Sequence, residues 1–279
     1  MKIVSTIAEV RDVRRAFPTL GLVPTMGFLH EGHLSLVRRA KAECGAVAAS
    51  LFVNPTQFGP NEDFARYPRA RERDLALLEN ADCDLVFIPE VSEIYPADFD
   101  TKITVGGVSQ GLEGAVRPGH FEGVATVVAK LFNIFQPTRA YFGQKDAQQA
   151  AVIRQLVRDL DMPVTVMICD IVREADGLAM SSRNAYLSPE DRARATILIR
   201  SLRAAEAAYD AGERRAEALR GIMGDALAAD PSAQADYVSV ADPDTLQELE
   251  IIGRSGALMS LAVRIGTTRL LDNLILLRN

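Results

Sequence analysis

Short, nearly continuous apolar runs alternate along this chain with stretches of helical spacing. Leu20–Pro24 is the first such run, and a helical pattern follows over His33–Cys44. Ala46–Val53 is almost wholly apolar, as expected of a strand covered on both faces. Arg69–Asn80 has helical spacing through Leu75, Leu77 and Leu78, and Leu85–Ile88 is another strand-like run. Gly123–Phe135 reads as a helix ended by Pro137, and Ala140–Phe142 as a short strand. Ala147–Leu160 carries a helical stripe of Val152, Ile153, Leu156, Val157 and Leu160, and Val164–Ile168 closes the series. This alternation predicts an α/β domain: a parallel sheet with helices on both faces. Ligands of such sheets lie outside the carboxyl ends of the strands.

The pattern changes after Met180. Ser188-Pro189-Glu190-Asp191 is a helix start, with a Ser cap, Pro in the first turn and acids at the positive end of the dipole. The helix is expected to run to about Tyr209; Gly212 separates it from a second that ends near Ala229, before Asp230-Pro231. Tyr237–Val240, Ala257–Val263 and Leu274–Leu276 read as strands. The expected division is a domain over 1–175 and a smaller α+β domain over 176–279, in line with about 150 residues per domain. No repeat or low-complexity linker separates them, so the two are expected to pack tightly.

Composition narrows the function classes. The 31 basic and 37 acidic residues leave a net charge of −6, which argues against a general nucleic-acid binder. Cys44, Cys83 and Cys169 lie far apart with no Cys-x-x-Cys pair, so they read as buried, reduced thiols of a cytoplasmic protein. Met1–Arg15 lacks the apolar centre of a signal peptide. No apolar run reaches the roughly 20 residues that span a bilayer. A soluble protein without membrane partners is expected.

The sharpest chemical signal is Pro24-Thr25-Met26-Gly27-Phe28-Leu29-His30-Glu31-Gly32-His33, between a strand and a helix. A helix N-terminus presents N–H groups and partial positive charge, and so attracts phosphate. Gly27 and Gly32 allow close approach of a ligand to the backbone. The helix dipole is expected to keep His33 neutral in the empty site, and either form of the ring can donate to a phosphoryl oxygen. Two solvated histidines at a helix cap would be the bland alternative; two of three histidines within four residues speak against it. Zinc is a weak competitor, since no third ligand is near.

That stretch resembles the His-x-Gly-His signature of the nucleotidyltransferase superfamily, and Met180-Ser181-Ser182-Arg183 resembles its second, flexible phosphate loop. Five further motifs follow in order: Phe52-Val53-Asn54-Pro55-Thr56-Gln57-Phe58, Tyr67-Pro68-Arg69, Arg117-Pro118-Gly119-His120-Phe121, Phe142-Gly143-Gln144-Lys145-Asp146 and Thr268-Arg269-Leu270-Leu271-Asp272-Asn273. Together they resemble the pantothenate synthetases, or pantoate–β-alanine ligases, over essentially the whole chain.

The resemblance implies a Rossmann-like first domain, a smaller domain covering the active site, and a homodimer. It also implies a two-step reaction: pantoate is adenylated by ATP with loss of pyrophosphate, and β-alanine then displaces AMP. Met26 to His33 would line the ATP site, with His30 and His33 donating to phosphate oxygens and His33 the usual proton donor. Gly143, Gln144, Lys145 and Asp146 would flank the nucleotide, with Lys145 on its phosphates. Val172 would contact adenine, and Met180, Ser181, Ser182 and Arg183 would close over the triphosphate. Gln57 and Gln149 match the pantoate-binding glutamines, with Gln57 also touching β-alanine. Neutral amides suit a substrate carboxylate that must stay reactive. Asn54, Tyr67, Arg117 and His120 are further candidates. Magnesium is implied by ATP chemistry, with Asp74 and Asp146 as possible outer ligands and neither assigned. The family usually has Glu where Gln144 stands, which leaves open what that side chain does beside Lys145. A capping nucleotidyltransferase for a phosphorylated acceptor and a nucleotide sensor without turnover are the competing functions.

Overall fold

The computed structural model describes residues 1–60 and 62–276. Its first unit is built on strands β1 (Lys2–Val4), β2 (Gly21–Thr25), β3 (Val47–Leu51), β4 (Leu85–Phe87), β5 (Arg139–Gly143) and β6 (Thr165–Cys169). They form one sheet in the order β1-β4-β3-β2-β5-β6, and every pairing is parallel. Helices α1 (Ile7–Arg14), α2 (Glu31–Cys44), α3 (Arg71–Asn80), the short α4 (Val91–Ile94) and α5 (Glu113–Val116), α6 (His120–Phe135) and α7 (Ala147–Asp159) connect them.

Alternate strand residues feed two separate cores. Leu22, Ala48, Leu85 and Phe87 pack with Phe135 and Ile153 on one face. Val23, Ala49 and Val86 pack with Val37, Leu78 and Tyr141 on the other. A strand buried on both faces needs apolar residues at every position, which is why these runs were legible. β1 and α1 escaped the apolar pattern because each buries only one residue, Val4 and Val10. The signal for α1 is polar instead: Thr6 and Glu9 form a capping box in which Thr6 Oγ1 accepts from Glu9 N and Glu9 Oε2 from Thr6 N.

Strand order reverses between β2 and β5. Their ladder covers only Gly21 opposite Arg139 and Leu22 opposite Ala140, so the carboxyl ends at Thr25 and Gly143 part and leave a crevice. This is where the topology of an open parallel sheet places a ligand.

The second unit holds α8 (Pro189–Arg194), α9 (Ile197–Asp210), α10 (Ala216–Ala228) and an antiparallel sheet of β7 (Ala233–Ala241), β8 (Ala257–Ile265) and β9 (Thr268–Leu276). Leu198, Leu202, Met223, Met259 and Leu261 are in its core, joined by Leu178 from the incoming segment. The helix expected from Ser188 to Tyr209 is two: Ala195 and Thr196 interrupt it, and Thr196 Oγ1 donates to Ala193 O at 2.9 Å, where a backbone N–H would otherwise compete. The expected start stands, since Ser188 Oγ accepts from Asp191 N. β7 and β9 are nine residues long rather than four and three, because exposed polar residues open β7 and the buried polar pair Asp272–Asn273 interrupts the apolar run of β9. Elsewhere, α2 begins at Glu31 rather than His33. All three cysteines are buried and unpaired. No helix among the described residues is long and apolar enough to cross a membrane.

Candidate active site

The crevice at the β2–β5 divergence is shaped first by the segment after β2. Asp74 on α3 is 2 % exposed and accepts from Phe28 N at 2.6 Å and Leu29 N at 2.8 Å. Arg73 adds a bond to Leu29 O. The loop is therefore braced by a carboxylate 45 residues away, with Gly27 and Phe28 at positive φ, before it turns into α2. Two N–H groups of the loop, those of Phe28 and Leu29, are used by that brace and are not open to a phosphate.

His30 sits at the N-cap of α2 and its ring centroid lies 4.1 Å from that of His33. Gly32 lies beneath the His30 ring; a Cβ there would come within 2.9 Å of His30 Nδ1 and Cε1. His30 Nδ1 is buried and has no hydrogen-bond partner among the described residues. Burial and then the Lys145 charge lower the His30 pKa to about 4; burial and then His30 itself lower that of His33 to about 3. Both rings are neutral, as expected for His33, but burial is the main cause. His30 N donates, at a long 3.4 Å, to His33 Nδ1, which leaves the His33 proton on Nε2.

The second segment arrives from the other side. Ser182 Oγ donates to Phe28 O at 3.1 Å, joining the two predicted phosphate loops directly. Ser181 Oγ caps the following turn at Arg183 N. The Arg183 guanidinium is held by both oxygens of Asp63 at 3.0 Å and lies over the Tyr67 ring. The third segment is the turn after β5, where Lys145 Nζ meets Asp146 Oδ1 at 3.3 Å. Burial raises the Asp146 pKa, but Lys145, Arg183 and His33 outweigh it and the carboxyl titrates below its usual range.

A fourth group faces the far end of the cavity. Gln57 is buried; its Oε1 accepts from Asn54 Nδ2 and its Nε2 donates to Met26 Sδ. His120 Nδ1 contacts Gln57 O at 2.8 Å, and a carbonyl can only accept, so that nitrogen carries the proton and Nε2 accepts from Arg117. Burial, then the Arg117 charge, lower the His120 pKa to about 4. Arg117 is paired with Glu62. His120, one of the further site candidates, is thus a buried brace of the Gln57 turn.

Of the expected residues, Met26, His30, Gly32, His33, Gln57 and Gly143 line one cavity. So do Lys145, Asp146, Gln149, Val172 and the whole of Met180–Arg183. Gln149 faces inward, while Gln148 beside it is a structural clamp on Glu113 N, Val108 O and Gly111 O. Four side chains expected at the nucleotide point elsewhere. Leu29 is fully buried in the core, Phe28 stacks on Arg73, Glu31 pairs with Arg38 on the outer face, and Gln144 bonds to Asn273. Gly27 does not line the cavity either; its N–H donates to Thr25 Oγ1 at 3.2 Å. Asp74 does not line the cavity. Sequence reading passed over Tyr237, Ser260, Asp272 and Asn273, which roof the cavity from the antiparallel sheet. Asp272 and Asn273 were visible only as part of a motif.

The arrangement gathers neutral imidazole donors, one ammonium, one guanidinium and two hydroxyls around a crevice with amides at its far end. It is built to take a polyanion beside a smaller polar acceptor. Similarity to known proteins agrees. The family model described as pantoate–β-alanine ligase matches residues 2–275. The pantothenate synthetase of Herpetosiphon aurantiacus is 65 % identical over 276 residues, covering 99 % of this chain and all of the relative. The crystal structure of pantothenate synthetase from Thermus thermophilus superposes with a TM-score of 0.95 at 50 % identity, with both chains covered completely. The pantoate–β-alanine ligase of Francisella tularensis, solved with β,γ-ATP and β-alanine, superposes with a TM-score of 0.81 at 34 % identity, covering 99 % of this chain and 97 % of its own. Matched along its length in both sequence and fold, this chain belongs to the pantoate–β-alanine ligase family and is a ligase that joins those two substrates.

Proposed function

We propose that the crevice binds ATP between the Met26–His33 and Met180–Arg183 segments, and that pantoate is activated there as its adenylate. The observation that carries this reading is the convergence of the two segments on one cavity, closed by the Ser182–Phe28 hydrogen bond. A pantoate carboxylate oxygen attacks the α-phosphorus, the bond from that phosphorus to the bridging oxygen breaks, and pyrophosphate leaves with the electron pair. His33 Nε2–H, His30, Lys145 and Arg183 supply donors and positive charge where negative charge grows. Arg183 must exchange Asp63 for phosphate oxygens in doing so. The β-alanine amine then attacks the acyl carbon, loses a proton and expels AMP. Gln57 and Gln149 hold pantoate by its hydroxyl and carboxylate groups without an ion pair that would dull its attack. Val172 lies where adenine would rest.

Magnesium would neutralise charge on the triphosphate. Among the described residues no three His, Cys, Asp or Glu side chains form a metal set, so the metal fits here only with phosphate oxygens and water as its main ligands. Asp146 faces the cavity, whereas Asp74 is committed to the loop backbone. The division into domains over 1–175 and 176–279, a homodimer and a cytoplasmic location belong to the same proposal.

The test is pantoate-dependent exchange of labelled pyrophosphate into ATP, with AMP formed once β-alanine is added. Formation of ADP instead would eliminate the adenylate route. A pH profile gives a second check. kcat/KM for ATP reports the free enzyme; His30 and His33 stay neutral there down to about 4 and 3, so the profile should show no inflection near 6.5 from either ring. The unfolded chain takes up protons below about 6.5, where folded His30, His33 and His120 do not, so their contribution is complete above that pH and is lost as the pH falls towards 4. Proton uptake on unfolding at pH 5.5 should drop when any one of the three is replaced by Gln.

A further inference from the structure

We propose that Asn273, on β9, is a positioning residue for adenylate formation: it fixes the Gln144–Lys145 turn and registers it against the segment that ends in Ser181-Ser182-Arg183. The proposal rests on the reading that Lys145 meets the phosphates of ATP.

Asn273 is 2 % exposed. Its side-chain amide donates to two successive carbonyls, Gln144 O at 3.0 Å and Lys145 O at 2.9 Å. Its oxygen accepts from Gln144 Nε2 at 3.1 Å. Both donors and the acceptor are thus spent on one turn, and the carbonyls of that turn face β9 rather than the crevice. Gln144 fits this contact as an amide. A carboxylate at position 144 would face the Asn273 oxygen, acceptor against acceptor, so the amide is the side chain that serves this turn.

Asp272 holds Asn273 from behind. Its Oδ1 accepts from Asn273 N at 2.8 Å, and both its oxygens take the Arg173 guanidinium, at 2.7 and 2.9 Å. Arg173 donates as well to Gly177 O at 3.0 Å and Asn273 O at 3.3 Å. Arg173 also bridges to Ala179, and Met180 N donates to Val172 O. The turn that carries Lys145 and the hairpin that delivers Met180–Arg183 are therefore anchored on two adjacent residues of one strand.

Burying a carboxylate with its guanidinium is a costly way to hold two units together, and apolar packing would serve stability at least as well. What a fully bonded polar cluster provides is a single geometry. A misplacement of about 1 Å at a phosphate donor can cost up to a hundredfold in rate.

The test is a double-mutant cycle on pyrophosphate exchange with Asn273→Ala, Lys145→Ala and the pair. Asn273→Ala is expected to lower the exchange kcat about tenfold or more with the KM for pantoate unchanged. In the Lys145→Ala background it should add less than about twofold, because it acts through that lysine. Asn273→Asp keeps the shape and the acceptor but removes both donors, and is expected to behave as Asn273→Ala does. Equal factors in both backgrounds, normal exchange in a folded variant, or failure of both variants to fold would each overturn the proposal. If Lys145→Ala alone leaves exchange unchanged, the reading of Lys145 fails, and that single variant reveals it separately.

Discussion

Replacing His33 with alanine is expected to slow adenylate formation by about two orders of magnitude or more and to leave the fold intact. Loss of one well-placed donor to a developing charge commonly costs about a hundred- to a thousandfold in kcat. His33 meets the conditions for that cost. It lies in the first turn of α2, its ring is neutral, and its Nδ1 faces a backbone N–H, so Nε2–H is the donor that remains. The structural consequences are slight by comparison. Alanine is the best helix former, and the one hydrogen bond lost is long at 3.4 Å. Pyrophosphate exchange beside a thermal unfolding curve separates the two effects. Near-normal exchange in a folded variant would remove His33 from its role, and a collapse of the unfolding midpoint would make it a structural residue. His33→Gln keeps a donor near the same place and should recover part of the loss.

What the sequence made legible follows from where the physics is local. β2 to β5 were readable because burial on both faces writes an apolar run into each of them, and the edge strand β6 was readable from its apolar residues although it buries only Cys169. β1 was not, since it buries only Val4; β7 was cut short by its exposed polar start and β9 by the buried polar pair Asp272–Asn273. The His30–His33 and Ser181–Arg183 segments were readable because a loop's chemistry is concentrated in a few adjacent residues. The groups that set those loops were not. Asp74 braces Phe28 and Leu29 from 45 residues downstream, Asp63 holds Arg183 from 120 residues upstream, and Asn273 holds Lys145 across 128 residues. Asp63 and Asp74 have nothing beside them in sequence that announces this part and Asn273 stands in a motif that gives it no role; only the fold brings each partner near. Gln144 shows the same limit. Read along the chain it sits beside Lys145 and promises to tune it, whereas in space its side chain turns to Asn273 on β9.

Gly123→Ala is the second change with a large expected effect, and its sign runs against helix propensity. A glycine inside a helix costs roughly 1 kcal/mol relative to alanine, so the substitution should stabilise α6 if nothing lay against it. Here the 3₁₀ turn Pro55–Gln57 lies against it: a Cβ on Gly123 would come within 2.4 Å of Thr56 O and 2.7 Å of Gln57 N. Both contacts are backbone, which cannot swing aside as a side chain does. The turn cannot retreat freely either, because Asn54 Nδ2 binds Gly123 O and His120 Nδ1 binds Gln57 O. Overpacking of this kind typically costs about 1–3 kcal/mol. The strain should fall on the turn that carries Gln57, and so on the end of the cavity proposed to take pantoate. Denaturant unfolding should show a loss of about 2 kcal/mol, and the KM for pantoate should rise roughly tenfold, a figure set by the roughly 1.4 kcal/mol that a displaced amide contact is worth. The KM for ATP should change far less, since His30, His33, Lys145 and Arg183 stand on other segments. A gain in stability, as at an exposed helix glycine, would mean that α6 and the Gln57 turn do not make this close approach, and an equal rise in both KM values would mean that the two ends of the cavity are not positioned separately.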